Sequence, residues 1–304
     1  MQAEYDIRLA SEEVRSNFHK TIILLCMMIV AIMGLSWLLG ALLSDATLGF
    51  KIGFLVCLIA IPLEMMSARL MITSLTGCVP LDLTNPAEKR LLNIVEGLSV
   101  SAGLKSTPEV YLIETNIPNA FAAGWNEDSA FIGITTGLAN MMDDQELEGV
   151  IAHEISHIVH RDIMICQMSI ALNSAMLILA FITRWVSVVC AARTRDFFLR
   201  CIFLLIFVAI YPLSVLVGFL LCMAISRKRE FAADALAVRL CSYNEGLIRA
   251  LEKLENNCQA YNDEEINELG GKEVECLYFF FPAETLFSTH PTTQERIHRL
   301  KTMY

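Results

Sequence analysis

Two histidines and a glutamate in the stretch HEISH, residues 153–157, have the spacing of a metal site. On a helix, residues four apart lie on the same face, so His153 and His157 can reach one ion while Glu154 points alongside it. Two histidines with an adjacent carboxylate are typical of a zinc site that hydrolyses peptide bonds. The alternative is a helix with two surface histidines. Chance alone would give an HExxH string in roughly one in a hundred such chains, which disfavours that alternative.

A hydrolytic zinc site needs a third protein ligand and a fourth position that is open to water. The downstream stretch SRKREFAADALAV offers Glu230 and, four residues later, Asp234 on the same helical face. We predict that Glu230 is the third ligand of a single Zn²⁺ per chain. We expect Asp234 to accept the second N–H of a ligating imidazole and so fix its tautomer. The alternative for Glu230 is a solvated carboxylate paired with Arg227 or Arg229.

The composition indicates a membrane protein with a soluble part. Of 304 residues, 55% are hydrophobic and only 18% are charged, which is too apolar for an ordinary soluble enzyme. The net charge is −10 and no basic stripe interleaved with aromatic residues occurs, so nucleic-acid binding is not expected. Ten cysteines without a CxxC pair indicate buried thiols in a reducing compartment.

Four apolar segments are long enough to cross a bilayer about 30 Å thick, and we interpret them as four transmembrane helices at 22–43, 52–75, 163–183 and 201–225. The last two would be joined by a loop, 184–200, that carries Arg184, Arg193, Arg195 and Arg200. If His153, His157 and Glu230 bind one ion, the chain must cross the membrane an even number of times between them. The two hairpins then divide the chain into a tail, a first hairpin, a first protease segment, a second hairpin and a second protease segment, at 1–20, 21–75, 76–162, 163–225 and 226–304.

The distribution of lysine and arginine favours a cytoplasmic soluble part. The basic residues of the tail, Arg161 and the RKR at 227–229 lie on that side, whereas Lys51 and the arginines of 184–200 oppose the assignment.

The soluble segments indicate a mixed α and β domain. We predict a helix at 85–102, strands at 108–113, 119–124 and 129–135, two helices within 227–260 that are broken near Ser242, and a terminal helix at 293–301. A strand at the sheet edge could pair with an extended peptide substrate, and Asn119 could hold the substrate backbone. The alternative is that Asn119 is a turn residue after Pro118. Near the C-terminus, His290 and Arg296 are candidates to stabilise an oxyanion.

Five separated blocks resemble the HtpX family of bacterial membrane zinc metalloproteases, and they occur in that family's order. They are NAFAAG from residue 119, TTGL at 135–138, VIAHEISHI at 150–158, SRKREFAADALA at 226–237 and STHPTTQERI at 288–297. The resemblance extends from about Asn85 to the C-terminus. TTGL replaces the usual STGL, and the basic stretch 184–200 is longer than the family pattern leads us to expect.

The resemblance implies a gluzincin-type zinc endopeptidase in the bacterial inner membrane, with its active site facing the cytoplasm. Damaged or misfolded membrane proteins and unfolded polypeptides would be its substrates. The family's metal ligands fall on His153, His157 and Glu230, its catalytic base on Glu154, and its downstream histidine and arginine on His290 and Arg296. We therefore expect an α+β membrane protein, mostly α-helical, with four transmembrane helices and a gluzincin-like domain that contains a small β-sheet.

Two other functions remain open at this point. The related CAAX prenyl proteases share the metal motif but need more membrane spans. A non-catalytic quality-control adaptor could keep zinc for folding alone, although a purely structural site needs no base such as Glu154. The physiological substrate and the oligomeric state are not determined by the sequence.

Overall fold

The computed structural model describes residues 15, 19, 22–23, 26–27, 29–41, 45–257, 279 and 291–303. The described chain is mostly helical with one small sheet, as predicted for an α+β protein. It divides into two compact units. One comprises Met1–Phe18, Ser67–Gln167 and Ile225–Tyr304, and the other comprises His19–Met66 and Met168–Ala224.

The first unit contains a four-stranded mixed sheet. Its strands are β1 (Val79–Pro80), β2 (Glu109–Ile113), β3 (Ala120–Ala123) and β4 (Phe131–Thr135). Their order is β1-β2-β4-β3, with β2 and β4 parallel and the other pairs antiparallel. The three predicted strands are confirmed. Strand β1 was not predicted, because two residues carry no alternation of apolar and polar side chains.

Helices surround this sheet. They are α3 (Pro86–Ala102), α4 (Thr136–Met141), α5 (Asp144–Val159), α8 (Glu245–Asn257) and α9 (Thr293–Thr302). Helix α3 begins as predicted, with the Asn85 side chain accepting from the Ala87 amide and proline in the first turn. The predicted break near Ser242 is also confirmed, since Ser242 has a φ of 64° between the helix that ends at Cys241 and α8.

Helix α5 lies at the centre of the core of this unit. Val150, Ile151 and Ile155 are completely buried in one cluster with residues of the sheet, α3 and α8. Gly149 lets α8 approach closely, because a Cβ at this position would lie 2.8 Å from the Leu247 nitrogen. The helix that carries HEISH is therefore held on several sides by close packing.

The second unit contains the described part of α1 (Ile29–Ala41) and much of α2 (Ala46–Thr76), α6 (Asp162–Arg193) and α7 (Phe197–Cys241). The described residues include two stretches that are long and apolar enough to cross a membrane, Ser174–Arg193 and Phe197–Leu216. Helix α1 and the segment Ala46–Ile59 of α2 are shorter apolar helices. Two of the four predicted spans thus meet the criterion of length and hydropathy in the described chain.

The predicted loop at 184–200 is wrong. Helix α6 continues to Arg193 and α7 begins at Phe197, so only residues 194–196 connect them. Asp196 caps α7 by accepting from the Leu199 amide, and the Arg200 guanidinium donates to the carbonyls of Ala191 and Thr194 at the end of α6. Arginines satisfy the last carbonyls of a helix well, so their presence does not require a loop.

Candidate metal centre

Helix α5, which carries HEISH, has a well-defined start. Asp143 is the N-cap, and its side chain accepts from the Glu146 amide while Glu146 accepts from the Asp143 amide. Such a reciprocal capping box satisfies two amides that would otherwise lack partners. The buried Glu146 carboxylate also accepts from Lys253 and Arg249 of α8, which ties the helix start to its neighbour.

His153 and His157 of α5 meet Glu230 of α7, and the three offer ligand atoms that lie within 4.8 Å of one another. The two Nε2 atoms are 3.1 Å apart, and the nearer Glu230 oxygens lie 3.4 Å from His153 Nε2 and 3.7 Å from His157 Nε2. Two donors on a tetrahedral zinc ion with bonds of about 2.05 Å are about 3.3 Å apart. The three predicted ligands therefore converge at the separations that one such ion requires.

The hydrogen bonds of the imidazole rings strengthen this conclusion. His153 Nδ1 lies 2.9 Å from Asp234 Oδ1, and His157 Nδ1 lies 2.9 Å from Asp162 Oδ2. A carboxylate at Nδ1 holds the proton there, so each neutral ring presents a lone pair at Nε2. Two lone pairs at 3.1 Å repel each other unless a cation lies between them. The donor set thus fits a metal ion.

Glu154 follows the first histidine and is almost completely buried. Neither of its carboxylate oxygens has a hydrogen-bond partner among the described residues. Burial raises the pKa of Glu154 above its usual value, and the nearby His157 and His153 oppose that rise. A buried carboxylate without a protein partner is suited to exchange a proton with a water molecule or a substrate.

The carboxylates of Asp162 and Glu230 lie beside His157. Burial lowers its pKa, but the hydrogen bond to Asp162 and the charge of Glu230 outweigh burial and raise it to about 9. Such a concentration of carboxylates around an imidazole is the environment in which a divalent cation is favoured over a proton.

Asp234 lies four residues beyond Glu230 on α7 and is buried. Its oxygens accept from Arg296 of α9 at 3.0 and 2.7 Å, in a two-point ion pair. Burial opposes the charge, but Arg296 and the His153 hydrogen bond hold the pKa of Asp234 below its usual value. The predicted contact between Asp234 and a ligand imidazole is therefore present in the structure.

Arg296 is 2% exposed, pairs with Asp234, and donates to the Phe279 carbonyl at 3.3 Å. One of its nitrogens lies 3.3 Å from His153 Nδ1, on the opposite edge of the ring from Nε2. A buried guanidinium is held where its carboxylate lies, so Arg296 lies beside the first histidine, and its role in stabilising an oxyanion stays a prediction. His290 lies outside the described residues, and its role stays a prediction.

Asn119 is completely buried, its amide donates to Thr135 Oγ1 at 2.8 Å, and its side-chain oxygen accepts from the Ala120 amide. These bonds join the start of β3 to β4, and a contact between Asn119 and a substrate backbone stays a prediction. A side chain that follows a proline at a strand end is drawn into such local bonds.

Strand β3 lies at one of the two edges of the sheet, as the predicted pairing with a substrate requires. Asn119 directs its carbonyl toward β4, so the Ala120 carbonyl points away from the sheet. That carbonyl accepts from the Phe279 amide at 2.9 Å, and the Phe279 ring contacts the His153 ring edge to face at 4.9 Å. At Ala120 the edge is therefore occupied by the protein's own chain.

Two residues of the site were missed by sequence reasoning. Asp162 contacts His157, and Arg229 lies beside Asp162 at 3.8 Å between Nη1 and Oδ1. The available signal was the position of Asp162, an acidic residue five after His157 at the start of an apolar segment. Arg229 offered no comparable signal, because it lies within a run of three basic residues.

Comparisons with known proteins agree with this geometry. The model of peptidase family M48 matches residues 86–304. Protease HtpX of Legionella pneumophila (strain Corby) is 37% identical over 224 residues, which cover 70% of this chain and 75% of that protein. A protease HtpX homolog of Streptococcus gordonii is 33% identical over 310 aligned residues, which cover 96% of this chain and 99% of the relative.

Among solved structures, the crystal structure of S. mikatae Ste24p is similar to the fold. The TM-score is 0.51 at 19% identity, and the match covers 94% of this chain and 66% of Ste24p. This chain therefore spans just under two thirds of that protein, and the likeness concerns the fold alone.

Proposed function

This chain belongs to peptidase family M48 and is a metalloprotease, and we propose that its ion is a single Zn²⁺ held by His153, His157 and Glu230. We propose further that Glu154 is the general base of peptide-bond hydrolysis. The observation that carries this assignment is the convergence of three ligand atoms within 4.8 Å beside a buried carboxylate without a described partner.

The residues of the site support a defined sequence of proton transfers. When bound, zinc supplies a Lewis acid that acidifies water and polarises the scissile carbonyl. Glu154 accepts a proton from the water whose oxygen attacks the carbonyl carbon. It then delivers that proton to the amide nitrogen as the C–N bond breaks, so that a carboxylic acid and an amine are released. Asp234 and Arg296 hold His153 in position throughout, because their ion pair fixes the Nδ1 side of its ring.

We propose that the protease acts in protein quality control, the role that its similarity to HtpX proteases implies. We place it in the bacterial inner membrane with the active site on the cytoplasmic side, and the four apolar helices as its membrane spans. Ligands from α5 and α7 meet in one compact unit, which supports a chain that leaves and returns to the same side of the bilayer. Damaged or misfolded membrane proteins are the substrates that such a location favours.

The adaptor alternative fits the site less well. A structural zinc site closes its fourth position with a protein ligand and needs no base. Here the described residues offer three ligands, and Glu154 is poised without a partner. A CAAX prenyl protease would cleave only prenylated substrates, so cleavage of unmodified casein separates the two activities.

Metal analysis and casein cleavage on detergent-purified protein test the proposal. We expect one zinc per chain, loss of cleavage with a chelator and recovery when zinc is returned. Glu230→Gln should lose both zinc and cleavage, whereas Glu96→Gln, an exposed glutamate of α3, should keep both. Active protein without bound metal would refute the proposal.

A further inference from the structure

We propose that Asp162, together with Arg229, is a positioning residue that holds the second histidine ligand and joins it to the third ligand. This inference rests on the proposed zinc site and adds to it two residues that support the ligands. Asp162 orients His157 through one carboxylate oxygen, and the other oxygen faces Arg229, the residue that directly precedes Glu230.

Asp162 forms a hydrogen bond with the imidazole of His157. Asp162 Oδ2 lies 2.9 Å from His157 Nδ1, which is the distance of a hydrogen bond to a charged acceptor. This bond keeps the proton on Nδ1 and turns Nε2 toward His153 and Glu230. Without it the ring can rotate and its proton can move to Nε2, which would leave no lone pair for an ion.

Arg229 of α7 contacts Asp162 at two points. Arg229 Nη1 donates to the Asp162 backbone carbonyl at 3.4 Å and lies 3.8 Å from Asp162 Oδ1. The contact joins the start of α6 to α7 at the residue before the ligand Glu230. Since Asp162 also contacts His157, a single side chain connects the ligands of α5 and α7.

The side chain of Asp162 is only 8% exposed and lies beside the Arg229 guanidinium and the His157 imidazole. A carboxylate this deeply buried is tolerated because such donors surround it. The arrangement repeats the one at the other ring, where Asp234 contacts His153 and is paired with Arg296. Each histidine ligand thus has its own aspartate and its own arginine.

A purely structural role for Asp162 makes a different prediction. Asp162 occupies the first turn of α6, where a negative charge stabilises a helix through the helix dipole. In that case its removal would lower the melting temperature of the metal-free protein and leave zinc affinity unchanged. A positioning role requires the reverse, a loss of zinc affinity that exceeds any loss of stability.

The experiment measures the zinc dissociation constant of the full-length, detergent-purified protein by competition with a chromophoric chelator. We expect Asp162→Ala to weaken zinc binding by up to about 100-fold and Asp162→Asn by about 10-fold, because the amide oxygen can still accept from Nδ1. Arg229→Gln should fall between wild type and Asp162→Ala. In the Asp162→Ala/Arg229→Gln double variant the two losses should add incompletely, because Asp162→Ala already removes the side-chain contact and leaves only the bond from Arg229 to the Asp162 backbone carbonyl.

Asp144→Asn is the matched control, because Asp144 lies on α5 but its side chain is 78% exposed. The zinc affinity of this variant should stay within twofold of that of the wild-type protein. Melting of the metal-free variants is followed in parallel, and if Asp162→Ala does not fold, Asp162→Asn decides the question. Unchanged zinc affinity in the folded Asp162 variants would overturn the proposal. Absence of zinc from the wild-type protein would instead overturn the proposed function.

Discussion

Replacing Glu154 by glutamine should separate catalysis from metal binding and from stability. Glutamine has the same shape as glutamate but cannot accept a proton from water. Glu154 contributes no ligand atom to the group formed by His153, His157 and Glu230, so zinc content should remain one per chain. Loss of a positioned general base typically lowers the rate by about 10²- to 10⁴-fold, and we expect casein cleavage to fall within that range.

The same substitution should stabilise the metal-free protein at neutral pH. Both oxygens of the Glu154 carboxylate are buried without a described partner, and a buried unsatisfied group of this kind costs about 1–3 kcal/mol. A neutral amide removes most of the cost of the charge. Because 1 kcal/mol shifts the melting temperature of a protein of this size by about 2–4 °C, the variant should melt several degrees above wild type.

The sign of the pH dependence follows from the raised pKa of Glu154. The folded protein keeps the Glu154 proton to a higher pH than the unfolded chain does. The stability that this proton supplies is complete below the unfolded pKa, about 4.3, and is lost as pH rises through the folded pKa. The advantage of Glu154→Gln should therefore be largest at neutral pH and shrink as pH falls toward 4.

The assays are zinc analysis, casein cleavage and thermal melting in the presence of a chelator, each compared with Glu96→Gln. That control changes an exposed glutamate to glutamine and should leave all three readings near wild type. Cleavage within threefold of wild type by Glu154→Gln would show that another group takes the proton. A lower melting temperature at neutral pH would show that the Glu154 carboxylate has a stabilising partner.

Three further outcomes follow from the packing and charges around the site. Arg296→Ala should cost about 3–5 kcal/mol in urea unfolding, because it leaves the Asp234 carboxylate buried without its cation, and a loss below 1 kcal/mol would contradict the ion-pair assignment. Gly149→Ala should cost about 1–3 kcal/mol because the new Cβ meets the α8 backbone. Gly97→Ala, whose Cβ meets nothing within 4 Å, should instead stabilise α3 by about 0.5–1 kcal/mol. Equal changes in stability at the two glycines would show that close packing against α8 is not the cause of the loss at Gly149. Glu230→Gln should abolish zinc retention through desalting, and retention of a full zinc would remove Glu230 from the ligand set.

The local parts of the site were predictable from the sequence. A four-residue helical spacing places His153 and His157 on one face, and the same spacing places Glu230 and Asp234 together. Runs that contain β-branched residues predicted β2 and β4, a short apolar run predicted β3, and capping residues marked α3 and α9. Each of these predictions depends on residues that are near one another in the chain.

The parts that failed depend on contacts between distant residues. Arg229 contacts Asp162, and Arg296 contacts Asp234, across more than 60 residues in each case. Nothing in local composition distinguishes Arg296 from a solvent-exposed arginine, so its burial behind His153 could not be anticipated. Likewise, the arginines of 184–200 led to the prediction of a loop. In sequence, an arginine that binds the carbonyls at a helix end, as Arg200 does, looks the same as an arginine exposed to solvent.

His153 and His157 lie on α5, before α6 begins, whereas Glu230 lies in the last part of α7, so the third ligand is synthesised well after the first two. A ribosome delivers α5 first, so the nascent chain carries both imidazoles long before the glutamate of α7 exists. Until α7 has been translated and has packed beside α5, the polypeptide has only two of the three metal-ligating side chains. We therefore expect it to bind zinc weakly. If the proposed site is correct, metal-dependent cleavage begins only after α7 has been synthesised and has packed beside α5.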